Sequence, residues 1–137
     1  ARMFGVDNAA DRTHEILSVM GLEHRMDDEV FTYSRGLEQR CAIARALVHR
    51  PDVLLLDEPF SGLDPDATAR LQNLLAEPEG LSRTVILTSH DLIHGVTHAD
   101  RVAILTRGRL AFTAPAEQIA AGTMPEIYRE HTKGNRG

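Results

Sequence analysis

The chain has 137 residues, 42% of them hydrophobic and 26% charged, with 15 Lys and Arg against 20 Asp and Glu for a formal net charge of −5. That is enough for one domain with its own core and hardly for two, and the acidic balance argues against a nucleic-acid binder that relies on a basic face. No apolar run approaches the roughly 20 residues that span a bilayer, no signal peptide opens the chain, and one cysteine, Cys41, excludes an internal disulfide and fits a reducing compartment.

In chain order, Ala1 to Val6 carries no usable pattern. Asp7, Asn8 or Asp11 is placed to cap a helix running to about Met20, with Ile16, Leu17 and Met20 on one face and Gly21 as its stop. Because the chain opens at Ala1 already near helical sequence, it is taken as a piece of a longer protein. Leu22 to Thr32 is charged and irregular. Ser34 is a natural N-cap for a helix to about His49, in which Leu37, Cys41, Ala44, Leu47 and Val48 recur at helical spacing and Pro51 marks the end. Cys41 on that face reads as a small core residue. Gly36 would let a ligand approach the backbone, and amides at a helix start attract phosphate, although most Ser-x-Gly helix starts bind nothing.

Val53 to Leu56 is a short, continuously apolar run, which predicts a strand buried on both faces of a parallel sheet. Asp57 and Glu58 follow at its carboxyl end, where open α/β sheets place their ligands. Two adjacent acids there suit metal-assisted phosphoryl transfer, one holding Mg²⁺ and its neighbour acting on the attacking water. They suit a solvated acidic turn equally well. Asp64 caps and Pro65 opens the next helix, with Leu71, Leu74 and Leu75 as its buried stripe. Glu77 to Ser82 reads as a turn. Thr84 to Thr88 is a second buried strand that ends in Ser89-His90-Asp91, and Asp91 caps a short helix to about His98. Arg101 to Thr106 and Arg109 to Thr113 form a hairpin turning at Arg107-Gly108. Pro115 to Ala121 is expected to be a final short helix, and the polar remainder to Gly137 to be loose.

The order of these motifs is more telling than any one of them. A Ser-x-Gly helix start, a strand ending in Asp-Glu, Ser-Gly-Leu-Asp, and a strand ending in Ser-His-Asp together resemble the ATPase subunit of ABC transporters. Tyr33–Leu37 is similar to the signature motif, Val53–Glu58 to Walker B, Ser61–Asp64 to the D-loop and His90 to the switch histidine, over roughly residues 1–114. The resemblance implies an α/β fold, a RecA-like P-loop NTPase core with a mostly parallel sheet flanked by helices, plus part of the helical subdomain. It divides the chain into 1–50 (helical subdomain with the signature helix), 51–114 (C-terminal part of the ATPase core) and 115–137 (C-terminal helix and tail).

The same resemblance implies ATP and Mg²⁺ as cofactors. Asp57 would hold the Mg²⁺ shell, Glu58 would be the general base, and His90 would contact the γ-phosphate. Ser34, Arg35 and Gly36 would touch the γ-phosphate of ATP bound to a second ATPase subunit, and Asp64 would cross the subunit interface. Implied partners are that second subunit and a transmembrane permease, without nucleic acid, on the cytoplasmic face of the membrane. Tyr33 replaces the commonest Leu and Arg35 the first Gly of the signature, a variant similar to that of exporter-type members. Together with Ala1 to Val6 and the run from Thr84 to Leu110 it looks most like the haem-exporter ATPases of cytochrome c maturation, and it is also similar to ATPases that serve exporters of antibiotics or polysaccharide.

No G-x-x-x-x-G-K-S/T occurs in the chain and no Q-loop glutamine precedes the helical region, so the phosphate-wrapping loop and its lysine are missing. In the family the strand leading into that loop lies between the counterparts of Thr84–Thr88 and Arg101–Thr106, so those two segments are expected not to bond to each other. Two other readings stand beside transport: a non-transport ABC ATPase, and a non-enzymatic interaction module. His90, His94 and His98 fall at i, i+4 and i+8, but Gly95 interrupts them and no Cys or acid completes a tetrahedral set.

Overall fold

The computed structural model describes residues 7–76, 83–92, 94–97 and 99–133. By its contacts the chain divides into two units, Ala1–Thr88 and Ser89–Gly137.

The first unit is built on three helices and a pair of strands. Helix α1 (Ala9–Val19) starts at Asn8, which stands at φ 51 and makes no side-chain capping bond. Ile16 and Met20 are each 1% exposed because they share the face that turns inward. The segment read as charged and irregular holds two short 3₁₀ turns, Glu23–Arg25 and Val30–Thr32. Helix α2 (Arg35–Leu47) has Ser34 in the N-cap position, yet the serine hydroxyl does not cap it. Ile43, Ala44 and Leu47 form its buried stripe, and Cys41 is half-buried against the same core.

Strand β1 (Val53–Asp57) and strand β2 (Thr84–Thr88) pair in parallel, from Val53 opposite Thr84 to Asp57 opposite Thr88. The expected parallel ladder is therefore present. The expectation that β1 is buried on both faces is not met. Leu54, Leu56 and Val85 face the core shared with α1, α2 and α3 (Pro65–Ala76), whereas Val53, Leu55 and Ile86 are 57%, 70% and 56% exposed. Side chains alternate across a strand, so covering one face of the pair leaves every second apolar residue in solvent. The turn assigned to Glu77–Ser82 lies outside the described residues.

In the second unit a four-residue helix α4 (His94–Thr97) precedes an antiparallel hairpin of β3 (Arg101–Thr106) and β4 (Arg109–Pro115). The hairpin turns at Arg107 and Gly108, both at positive φ (49 and 73). That is the backbone a two-residue turn needs to match strand twist, and glycine adopts it without steric cost. Among the described residues β2 is bonded to β1 and β3 to β4, in separate sheets.

The C-terminal region corrects the sequence reading. The strand continues to Pro115, followed by a single 3₁₀ turn (Ala116–Gln118) where a helix to Ala121 is expected. The tail read as loose is helix α5 (Met124–Lys133). Met124 is 5% exposed and packs with Ile104 and Ile119, with Ile127 alongside. His131, seven residues after Met124, sets its ring 5.0 Å from that of Phe112 and its Nδ1 2.9 Å from the Ile127 carbonyl. The i, i+3, i+7 spacing is helical, and its few apolar residues suffice because the hairpin supplies the opposite surface.

Candidate functional site

The acids at the end of β1 and the turn that follows them form the centre of the first unit. Asp57 is the last residue of β1 and is exposed, and Glu58 is half-buried. Glu58 stands at φ 46, a left-handed conformation that costs a non-glycine residue about 1–2 kcal/mol. The chain must reverse there: Ser61 N–H donates to the Glu58 carbonyl at 3.0 Å and Leu63 N–H to the Phe60 carbonyl at 3.3 Å. Pro59 is fully buried beneath this turn.

Across the strand pair, the Thr88 hydroxyl donates to Asp57 Oδ1. The Thr88 hydroxyl oxygen in turn accepts the Glu58 N–H at 3.1 Å. Thr88 was not among the residues singled out from sequence. The only signal for it there was its position at the end of a strand, two residues before His90.

The turn ends at Asp64, whose Oδ1 accepts the Ala67 N–H at 2.8 Å and so caps α3 as expected. That backbone bond, with the Arg40 and Arg70 guanidiniums nearby, holds the Asp64 carboxyl below its ordinary range despite partial desolvation. A depressed folded pKa contributes stability above the unfolded pKa, and that stability is lost as pH falls through the folded value. Asp64→Ala should therefore lower the melting temperature by a few degrees at neutral pH. The deficit should shrink in strong acid, where the carboxyl is neutral in both states, and a deficit independent of pH would show that the charge on Asp64 contributes nothing.

The start of α2 lies against the same turn. A Cβ at Gly36 would sit 3.2 Å from the Gly62 carbonyl oxygen, so a larger residue would have to push the turn back by a few tenths of an ångström, and glycine lets the two backbones approach closely. Ser34 and Arg35 are exposed beside it. The Tyr33 hydroxyl donates to the Arg25 carbonyl at 2.6 Å, tying the irregular segment to the helix start. Desolvation, with Cys41 and Asp28 adding to it, raises the pKa of that phenol. Arg40 Nη1 reaches the Met20 carbonyl at the end of α1, at 3.4 Å.

The structure thus gathers Gly36, Asp57, Glu58 and Asp64 into the first unit, around one turn. His90 is exposed and belongs to the second unit. Among the described residues no three His, Cys, Asp or Glu side chains are grouped to hold a metal ion. Mg²⁺ keeps most of its shell as water and phosphate oxygen and takes one or two carboxylates from protein. Asp57, exposed and with one oxygen held by Thr88, could supply one such carboxylate.

Residues 3–61 match the family model described as ABC transporter. The chain is 43% identical over 112 residues to the aliphatic sulfonates import ATP-binding protein SsuB of Granulibacter bethesdensis, covering 80% of this chain and 47% of that protein. It is 36% identical over 124 residues to a fluoroquinolones export ATP-binding protein of Mycobacterium tuberculosis, covering 90% of this chain and 41% of that one. A solved ATP binding subunit of an ABC transporter superposes with a TM-score of 0.81 at 28% identity, over 90% of this chain and 54% of its own. The fold is accordingly that of the ABC ATPase domains, a P-loop NTPase fold. The chain spans less than half the length of these two curated relatives.

Proposed function

We propose that this chain, which carries part of an ABC transporter ATP-binding domain, works in the full-length protein as the ATP-hydrolysing subunit of a membrane transporter. The observation that carries the reading is the pair of acids at the tip of β1, held by one hydroxyl from β2 and followed by a turn that packs on the start of α2. No helix among the described residues is long and apolar enough to cross a membrane. In this reading passage across the bilayer belongs to a separate permease subunit, with this protein on the cytoplasmic face of the membrane. We retain residues 1–50 as helical subdomain, 51–114 as the C-terminal part of the ATPase core and 115–137 as C-terminal helix and tail.

In this mechanism Glu58 takes the proton from the attacking water. Asp57 would hold Mg²⁺, which when bound would neutralise charge on the phosphates. Ser34, Arg35 and Gly36 meet the γ-phosphate of ATP held by a second ATPase subunit, using a hydroxyl, a guanidinium and a backbone amide at a helix start. His90 contacts the γ-phosphate in its own subunit, and Asp64 faces the subunit interface. The relatives described above carry both import and export in their names, for sulfonates and fluoroquinolones. The narrower expectation of haem export rests on the likeness of Ala1–Val6, Tyr33–Gly36 and Thr84–Leu110 and gains no support from those names.

The reading is tested by comparing the full-length protein with residues 1–137. The full-length protein should hydrolyse ATP in a Mg²⁺-dependent manner and co-purify with a membrane subunit. Residues 1–137 contain no phosphate loop lysine motif. They should show no ATPase activity and bind Mg·ATP at best at about millimolar Kd, about −4 kcal/mol. Micromolar binding of Mg·ATP by calorimetry to these residues alone would overturn the assignment of the missing loop as the main source of affinity.

A further inference from the structure

We infer that Thr88 is a positioning residue for both acids, a role that rests on the ATPase reading above. Thr88 is the last residue of β2 and the direct partner of Asp57, the last residue of β1. Paired residues on parallel strands point to the same face, so the hydroxyl is delivered to the carboxylate by register, without help from a loop. The proton assignment has one solution. The Glu58 N–H is a donor only, so Thr88 Oγ1 must accept there, which leaves the single hydroxyl proton for Asp57 Oδ1.

One hydroxyl therefore performs two tasks. It occupies one oxygen of Asp57 and fixes the plane of the carboxylate, leaving the other oxygen to face outward. It also pins the amide of Glu58 at the point where the backbone turns to φ 46, and with it the direction in which the Glu58 side chain leaves the strand. Both acids are oriented from a strand that contributes neither of them. Asp57 and Thr88 are exposed, so solvent can satisfy the groups released when the hydroxyl is removed. Thr88→Val keeps the β-branched shape and deletes only the hydroxyl, and such a variant is expected to fold.

The test has two arms. In the metal-free, nucleotide-free protein, Thr88→Val should speed hydrogen exchange at the Glu58 amide, followed by ¹H–¹⁵N NMR, and Thr88→Ser should retain the protection of the parent. In the full-length ATPase, Thr88→Val should lower kcat and raise the Mg²⁺ concentration for half-maximal rate, together by about 10–100-fold, the usual effect of deleting a group that orients a metal-holding carboxylate. Thr88→Ser should restore most of both. A merely structural threonine would lower the melting temperature of the valine variant and leave kcat and the Mg²⁺ dependence unchanged, and that result overturns the inference. It is equally overturned if the serine variant is as impaired as valine, or if Glu58 amide exchange is the same in all three proteins. Should the full-length parent show no Mg²⁺-dependent hydrolysis at all, the ATPase reading fails, while the exchange arm still decides whether Thr88 holds the two acids.

Discussion

Glu58→Gln in the full-length protein is expected to reduce ATP hydrolysis by roughly 10²–10⁴-fold, the usual contribution of a positioned general base. Glutamine has the size and reach of glutamate and keeps the backbone N–H that donates to Thr88, so the turn should survive intact. Asp57 is untouched and still available to Mg²⁺, so ATP binding should persist, and the ATP-bound dimer of subunits should accumulate because it no longer discharges. Single-turnover hydrolysis and size-exclusion chromatography with Mg·ATP read the two effects separately. Turnover near that of the parent would remove Glu58 from the role of base, and loss of ATP binding would show that it acts in binding instead.

The largest effect on stability should come from Leu71→Ala. Leu71 lies in the middle of α3 at 0% exposure, in the same core as Leu47, Ile16 and Met20. Deleting its isobutyl group leaves a cavity among side chains from three helices, and such substitutions cost about 2–5 kcal/mol. Urea unfolding should show the midpoint falling with little change in slope. Val30→Ala, at a residue 54% exposed, serves as the comparison and should stay within about 0.5 kcal/mol of the parent. A loss below about 1 kcal/mol for Leu71→Ala would mean that α3 does not seal this core.

Much of this arrangement is legible in the residues. The strand ending in Asp57 and Glu58, the cap at Asp64, the turn at Arg107-Gly108 and the stripes of α2 and α3 all follow from local rules of period, capping and positive φ. Such rules act within a few residues, so a sequence states them directly. The motif order around Tyr33–Gly36, Asp57–Glu58 and Asp64 was equally visible, since order along the chain needs no knowledge of contacts.

What the tertiary structure alone decided are the features that join distant segments. The apolar run Val53–Leu56 announces a strand but not how many of its faces are covered, and the exposure of Val53, Leu55 and Ile86 depends on which layers pack against the pair. Helix α5 shows only a thin apolar stripe, and its stability comes from the hairpin that meets Met124 and Ile127. Gly36 looks in the sequence like an opening for a ligand; its closeness to Gly62 appears only when α2 and the turn after β1 are brought together. Thr88 lies 31 residues from Asp57, and nothing local distinguishes it from any other threonine in a strand. Its hydroxyl meets both acids because the parallel register sets Asp57 opposite Thr88, and a register is a property of two segments in space.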